Sequence, residues 1–366
     1  MAFFNLKNTK IKAVAATVPD DVEYTTDYNE LFGEEHVKKF IMSTGVKRRF
    51  TTHRLGVTAS DLCCAAAEKI LKELNYDRSK IDVLIFASSS RDYLQPVTAT
   101  ILQDRLGLSD DCICYDVPLG CSAYVYGLYL AAIHINSGCR SVLLLAGSTG
   151  EKMPSGYIPE EIPMLFGNAG SATLLEYDEN AEPVYGLLRS IGRDFKMLVS
   201  PFSGQRHPFW PMVEKFGYEK ACVYRNLFHM EGMDVMRFSL KEVVTMINDF
   251  KEHFNCNYDD YEILACHQAN KLIISNLARK IKFPLNKIPL SIVDYGNTGC
   301  ASIPLAICDH YATKNNDEDT GKILTCGFGI GLSLGIVGIT IIPESCFDVF
   351  KVTDRYDDGL KFEYYD

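Results

Sequence analysis

Ile292-Val293-Asp294-Tyr295-Gly296-Asn297-Thr298-Gly299-Cys300 repeats, in outline, a stretch met much earlier: Cys114-Tyr115-Asp116-Val117-Pro118-Leu119-Gly120-Cys121. Each reads as a short strand ending in a glycine-bearing turn and a cysteine. Each then opens a run of small and apolar residues at helical spacing, residues 122–135 and 301–311. The echo continues outward. Residues 81–87 run into Ser88, Ser89 and Ser90, and residues 261–266 run into His267 and Gln268. Helical patterns follow at 98–106 and 270–281, and further apolar strands at 141–147 and 322–327. The offset is about 180 positions, longer than any solenoid period. Three matched elements in one order predict an α/β fold of two duplicated βαβ halves, with parallel pairing in each sheet and helices layered over it.

The bulk numbers agree with a folded, soluble chain. Its 366 residues suggest two domains or fused halves, and 47% hydrophobic against 23% charged residues leave material for a large core. A net charge of −10 lacks the basic footprint of a nucleic-acid binder. Disulfide-stapled proteins tend to be small with even cysteine sets, whereas this chain is long and has 13, so reduced thiols and a cytoplasmic setting are expected. The start, MAFFNLKNTKIKAV, has no apolar run behind a basic end, so no signal peptide is expected. Residues 323–342 carry no charge and have the length of a membrane span, but five glycines break them. They read as two buried strands joined by a turn, with no membrane span.

The expected division is residues 1–180 for the first half, 181–237 for an irregular connection and 238–366 for the second half. Within the connection, residues 200–211 are rich in aromatics and prolines. They read as a packed excursion, either a lid over a site or a surface insertion without a role.

Three residues could carry chemistry. Cys121 stands where a strand turns into a helix, and unpaired N–H groups at a helix mouth favour a thiolate, with pKa values of roughly 3.5–7.5 at such places. Cys300 occupies the echo position, so context alone does not choose between them. His267 closes a predicted buried strand, a usual place for functional side chains in α/β sheets. Asn297 lies in a Gly-Asn turn that tolerates positive φ. Cys112 and Cys114 are too few for a zinc site, which needs four ligands, and no metal site is expected.

Taken together these segments resemble β-ketoacyl-acyl-carrier-protein synthase III. Met42 to Arg49, Ala87-Ser88-Ser89-Ser90 and Gln103-Asp104-Arg105-Leu106-Gly107 match its first half. His267-Gln268-Ala269-Asn270, Tyr295-Gly296-Asn297-Thr298 with Ala301-Ser302-Ile303-Pro304, and Gly327-Phe328-Gly329-Ile330-Gly331-Leu332 match its second. The resemblance implies a thiolase-like fold with mixed five-stranded sheets, and Cys121 as the nucleophile that takes an acyl group from a thioester. It implies His267 and Asn297 on the carbonyl of a malonyl-type thioester, steadying the enolate left by decarboxylation. Backbone N–H groups of Cys121 and Ile330 would form the oxyanion hole. Phe328, Gly329, Phe40 and Asn270 would line the substrate path. Lys271 and Arg237 would meet an acyl carrier protein. Acyl-CoA and malonyl thioesters would be substrates, no cofactor would be needed, and the chain would be a homodimer paired through the first-half sheet.

Several positions depart from the family pattern. Phe40, or nothing, takes the place of the family's tryptophan that stacks on coenzyme A adenine, Asn168 replaces an acid, and Ile330 replaces a glycine. Leu119-Gly120 precede the nucleophile where two alanines are usual, and Tyr124 and Tyr126 follow it. A reshaped acyl pocket is therefore expected. Two other readings keep the site: acyl transfer to an oxygen or nitrogen acceptor without decarboxylation, or a catalytically silent scaffold. Retention of all three residues argues against the scaffold.

Overall fold

The computed structural model describes residues 2–150, 162–225, 227–312 and 320–361. Its strands, in chain order, are β1 (Ala2–Leu6), β2 (Thr9–Pro19), β3 (Asp21–Tyr24), β4 (Arg48–Thr51), β5 (Val83–Ala87), β6 (Ile113–Val117), β7 (Ser141–Ser148) and β8 (Ala169–Tyr177). They continue as β9 (Val184–Ser190), β10 (Leu198–Val199), β11 (His229–Met230), β12 (Ile263–Cys266), β13 (Lys322–Gly329), β14 (Ser333–Thr340) and β15 (Phe350–Val352).

Two mixed sheets carry the fold, ordered β15-β2-β8-β7-β5-β6 and β1-β9-β14-β13-β12. β5 runs parallel to β6 and β7, and β12 parallel to β13, while β8 and β14 run antiparallel to their neighbours. The second sheet has five strands as expected. The first gains a sixth, β15, which lies parallel to β2 in the register Phe350↔Thr17.

Sheet membership does not follow the boundaries at 180 and 237. β1, from the start of the chain, edges the second sheet, and β15, from its far end, edges the first. β9 falls inside the segment expected to be irregular, yet it lies between β1 and β14. Its alternation explains why: Leu188 faces the central cluster and Leu187 the outer one, so both sides of the strand are buried.

The central cluster lies between the sheets and holds the helices Ala123–Asn136 and Ser302–Ala312. Both are apolar on nearly every side, because a sheet covers each flank. Burying Leu128 there contributes on the order of 1.5–3 kcal/mol. Ala59–Glu73 covers the outer face of the first sheet, and Val244–His253 with Lys271–Ile281 covers that of the second. The result is five layers, helix on sheet on helix on sheet on helix.

Two sequence readings resolve here. The uncharged stretch 323–342 lies in the antiparallel strands β13 and β14, which close at Gly329↔Ser333. Among the described residues, no helix is long and apolar enough to cross a membrane. Residues 292–295, read as a strand, form one helical turn instead, with the Tyr295 N–H donating to the Ser291 carbonyl at 3.0 Å. The Gln268 side chain accepts the Ile292 N–H at 3.1 Å, so that donor is satisfied without a ladder. β12 thereby becomes the sheet edge.

Candidate active site

Cys121 lies in the turn between β6 and the Ala123–Asn136 helix, and the Ala123 N–H closes that turn onto the Gly120 carbonyl at 2.8 Å. A Cβ on Gly329 would lie 2.8 Å from the Cys121 Cβ and 3.1 Å from its sulfur, so only glycine lets β13 end against the thiol. The residue keeps partial exposure, yet its dense surroundings desolvate the sulfur. Burial pushes the thiol up to about 12, Cys300 adds to the rise, and the Cys121 N–H opposes it. This corrects the expectation of a thiolate set by the helix mouth. The free site holds a neutral thiol, because loss of hydration outweighs the partial charge of a helix end.

His267 follows the last residue of β12, and its N–H donates to the Cys326 carbonyl at 2.7 Å. The Asn270 side chain caps the next helix by accepting the Ile273 N–H at 2.7 Å. The His267 Nδ1 lies 2.8 Å from Ser302 Oγ, and Ser302 donates its only proton to the Gly299 carbonyl at 2.8 Å. Ser302 must therefore accept from Nδ1–H, which assigns the tautomer and leaves a lone pair on Nε2. Burial pushes the imidazole down to about 3, against the pull of the Gly299 carbonyl. The ring is neutral at ordinary pH and able to take a proton. Phe328 packs edge-on against it, with centroids 5.4 Å apart.

Asn297 is held from both halves. Its N–H donates to the Leu165 carbonyl at 2.8 Å, and its carbonyl accepts the Gly167 N–H at 3.1 Å. Its Oδ1 accepts the Gly299 N–H at 3.0 Å. Gly299 itself sits at φ +54, where a Cβ would approach Ser148 Oγ to 2.6 Å. A side chain there would be strained and obstructed.

Short bridges join these groups. Gly329 touches Cys121, and its neighbour Phe328 touches His267. Cys300, next to Gly299, points its thiol at the carbonyls of Gly120 (3.2 Å) and Leu119 (3.4 Å), directly before Cys121. Ile330 lays its side chain on Gly120, 3.0–3.3 Å from where a Cβ would be. Among the described residues, no backbone carbonyl accepts the N–H of Cys121 or of Ile330. Both donors remain available for a developing oxyanion.

Other expected residues lie apart from this cluster. Phe40 is only 6% exposed and packs with Val46, Met164, Leu165 and Ile292, so its ring is a core element and not a stacking surface. Tyr124 is buried in the central cluster with its hydroxyl 3.1 Å from Thr173, so it reshapes the core and not an open pocket. Lys271 is exposed, its stem packed on Gly45. Arg237 is exposed and paired with Asp234 at 2.8 Å. The excursion after β9 packs inward as well as outward: Phe228 meets Phe166 edge-on at 6.2 Å, beside the Gly167 that holds Asn297. Sequence reading missed Ser302, Gly299 and the serines at 122 and 333. The available signal was that Ser302 follows Gly299 by three residues at a helix start, where a serine hydroxyl commonly bonds back to the chain.

Comparison with known proteins fits this geometry. The family model 3-Oxoacyl-[acyl-carrier-protein (ACP)] synthase III matches residues 115–190, and its C-terminal counterpart matches residues 252–341. A crystal structure of a 3-oxoacyl-(acyl-carrier protein) synthase from Burkholderia xenovorans is 30% identical, covers 96% of this chain and 99% of its own, and superposes with a TM-score of 0.86. The chain belongs to the β-ketoacyl-[acyl-carrier-protein] synthase III family. Within that family, the synthase III of Acholeplasma laidlawii is 28% identical over 336 residues, 90% of this chain and 98% of that protein. The synthase III structure from Pseudomonas aeruginosa shares the fold, with a TM-score of 0.78 at 23% identity over 92% and 98% of the two chains. The synthase III likeness thus spans both sheets.

Proposed function

We propose that this chain is a ketoacyl-synthase III acyltransferase that loads an acyl group onto Cys121 from a thioester and extends it with a malonyl-type thioester. In the first half-reaction the His267 Nε2 lone pair takes the proton of the neutral thiol as its sulfur attacks the thioester carbonyl. The N–H groups of Cys121 and Ile330 receive the oxyanion. The departing thiolate then recovers that proton from the imidazolium. In the second, the carboxylate of the malonyl group leaves as carbon dioxide. The resulting enolate oxygen rests on Asn297 Nδ2–H and on His267 Nε2–H, a proton the imidazole takes from solvent. The enolate then attacks the acyl-cysteine carbonyl, and the Cys121 thiolate released takes that proton back to the neutral thiol.

The observation that carries this reading is the pair of bonds made by the backbone of Gly299. Its N–H holds the Asn297 Oδ1, and its carbonyl holds Ser302, which in turn accepts from His267 Nδ1–H. One residue, Gly299, packed against Ser148 at φ +54, aims both side chains. The proposed chemistry needs no metal or redox cofactor. The donor and the malonyl group arrive on coenzyme A or an acyl carrier protein, with Lys271 and Arg237 among the exposed cations available to an acidic carrier. A cytoplasmic homodimer completes the proposal. β6 is the outer strand of its sheet and Ile113 on it is 50% exposed, an edge that a second copy would cover.

An acyl-CoA panel read by intact mass tests the first step. The expected result is one acyl adduct on the Cys121 peptide, lost in Cys121→Ala. Adding malonyl-CoA or malonyl-carrier then releases carbon dioxide and an extended 3-oxoacyl product. Adduct transfer to an alcohol or amine without carbon dioxide would overturn the condensation, and an adduct on Cys300 would overturn the choice of nucleophile.

A further inference from the structure

Two buried serines outside the catalytic set connect the loops that face each other across the sulfur. Ser122 Oγ and Ser333 Oγ are 2.5 Å apart, and Ser333 Oγ lies 2.7 Å from the Ile330 carbonyl. They are 0% and 3% exposed. A carbonyl only accepts, so Ser333 gives its single proton to Ile330, and Ser122 must then donate to Ser333. The bond order follows: Ser122 to Ser333 to the Ile330 carbonyl. Ser122 is the residue after the nucleophile, and Ile330 carries one of the two N–H groups assigned to the oxyanion.

We propose that Ser122 and Ser333 are positioning residues that hold the Ile330 N–H in register with Cys121 while the oxyanion forms. The inference rests on the acyl-cysteine reading above. The loop after β13 carries Gly331 at φ +139 beside Ile330, a position with little restraint of its own. Two contacts fasten its near end, Gly329 against Cys121 and the Ile330 side chain on Gly120. Neither fixes how the peptide planes around Ile330 are rotated. The serine relay fixes the Ile330–Gly331 plane, because it seizes the Ile330 carbonyl from the same turn that carries the sulfur; with Gly329 held against Cys121, the residue bearing the N–H is pinned on both sides. A donor displaced by a few tenths of an ångström loses much of its worth, since the transition-state bond depends steeply on distance and angle. With both serines desolvated, the relay has no competing water and keeps one geometry.

The test separates oxyanion support from thiol reactivity. Ser122→Ala, Ser333→Ala and Ser333→Thr are compared with wild type in two reactions at Cys121. One is acylation by acyl-CoA, which passes through an oxyanion. The other is labelling by methyl methanethiosulfonate, which does not. The expected result is that both alanine variants acylate about 10- to 100-fold more slowly, less than the ~10²–10³ of removing a donor outright. Their thiosulfonate labelling stays close to wild type, and Ser333→Thr restores most of the acylation. Equal slowing of both reactions, or alanine variants that acylate at the wild-type rate, would overturn the inference alone. A wild type that takes no acyl group from any thioester while still labelling with thiosulfonate would overturn the acyl-cysteine reading and this inference together.

Discussion

The Gly299 N–H donates to Asn297 Oδ1 at 3.0 Å, and that single bond decides which end of the Asn297 amide faces the site. The oxygen is occupied, so the NH₂ group is the end left to act on a substrate oxygen. Asn297→Asp keeps the bond to Gly299 and replaces the donor with a charged acceptor. It is expected to leave acylation of Cys121 nearly unchanged and to slow malonyl decarboxylation by about 100-fold or more. Carbon dioxide release from a pre-acylated enzyme measures this, and an undiminished rate would remove Asn297 from the chemistry.

Ser302 sets the protonation of His267 without touching substrate. In Ser302→Ala the Nδ1–H loses its acceptor at 2.8 Å, so the two tautomers draw closer in energy. Selective ¹⁵N-histidine labelling reads this directly. The wild-type ring should show a protonated Nδ1 and a bare Nε2, with His267→Gln identifying its signals among the eight histidines. The variant should show mixed signals and a turnover about 10- to 100-fold lower, part of the ~10²–10⁴ a positioned acid–base group supplies. A wild-type ring protonated on Nε2 would contradict the assigned network.

The resting thiol should behave as a weak acid. Burial pushes Cys121 up to about 12 and His267 down to about 3, so neither group titrates between about pH 5 and 9. Labelling of free enzyme by methyl methanethiosulfonate should therefore rise about tenfold per pH unit through that range, following the small thiolate fraction. A plateau beginning near pH 7 would instead reveal a preformed thiolate–imidazolium pair.

Glu23 buttresses the asparagine turn from below. Burial alone would raise its pKa, but the hydrogen bond from His53 and the charge and hydrogen bond of Arg49 outweigh that and hold it well below the carboxylate range. Arg49 is 3% exposed, and its Cβ lies 3.2 Å from where Gly296 would carry one. A folded pKa below the unfolded ~4.3 means the stabilisation is complete above that value and is lost as pH falls toward the folded one. Glu23→Gln should cost about 1–3 kcal/mol at pH 7, with Glu23 19% exposed, because Arg49 is left buried without its partner. The gap between variant and wild type in urea unfolding should narrow as the pH is lowered below about 4. A gap independent of pH would place the effect in packing and not in charge.

Much of the architecture was readable along the chain because duplication leaves a linear trace. The strand-turn-cysteine pattern at 114–121 found its partner at 292–300, and the apolar runs at 81–87 and 322–327 found theirs. The reading failed where a local pattern had no local cause. Residues 292–295 look like a strand, but they curl into a helical turn because Gln268, 24 positions away, takes the Ile292 N–H. β9 looks irregular in isolation and becomes a strand because two clusters wait on either side of it. Phe40 looks available and is buried because Met164 and Ile292 come to it from distant segments.

Sequence alone determined which residue types could do chemistry here: a cysteine at one of two matching helix mouths, a histidine after a buried strand, an asparagine in a glycine-bearing turn. It also determined the fold class, since hydrophobic period and echo are properties of the chain itself. Only the folded molecule decided their electrical state and aim. Desolvation kept the thiol and the imidazole neutral, the Gly299 N–H turned the asparagine amide, and the Gly299 carbonyl, through Ser302, chose the histidine tautomer. Those outcomes depend on burial and on hydrogen bonds between segments far apart in the chain, which no local pattern encodes.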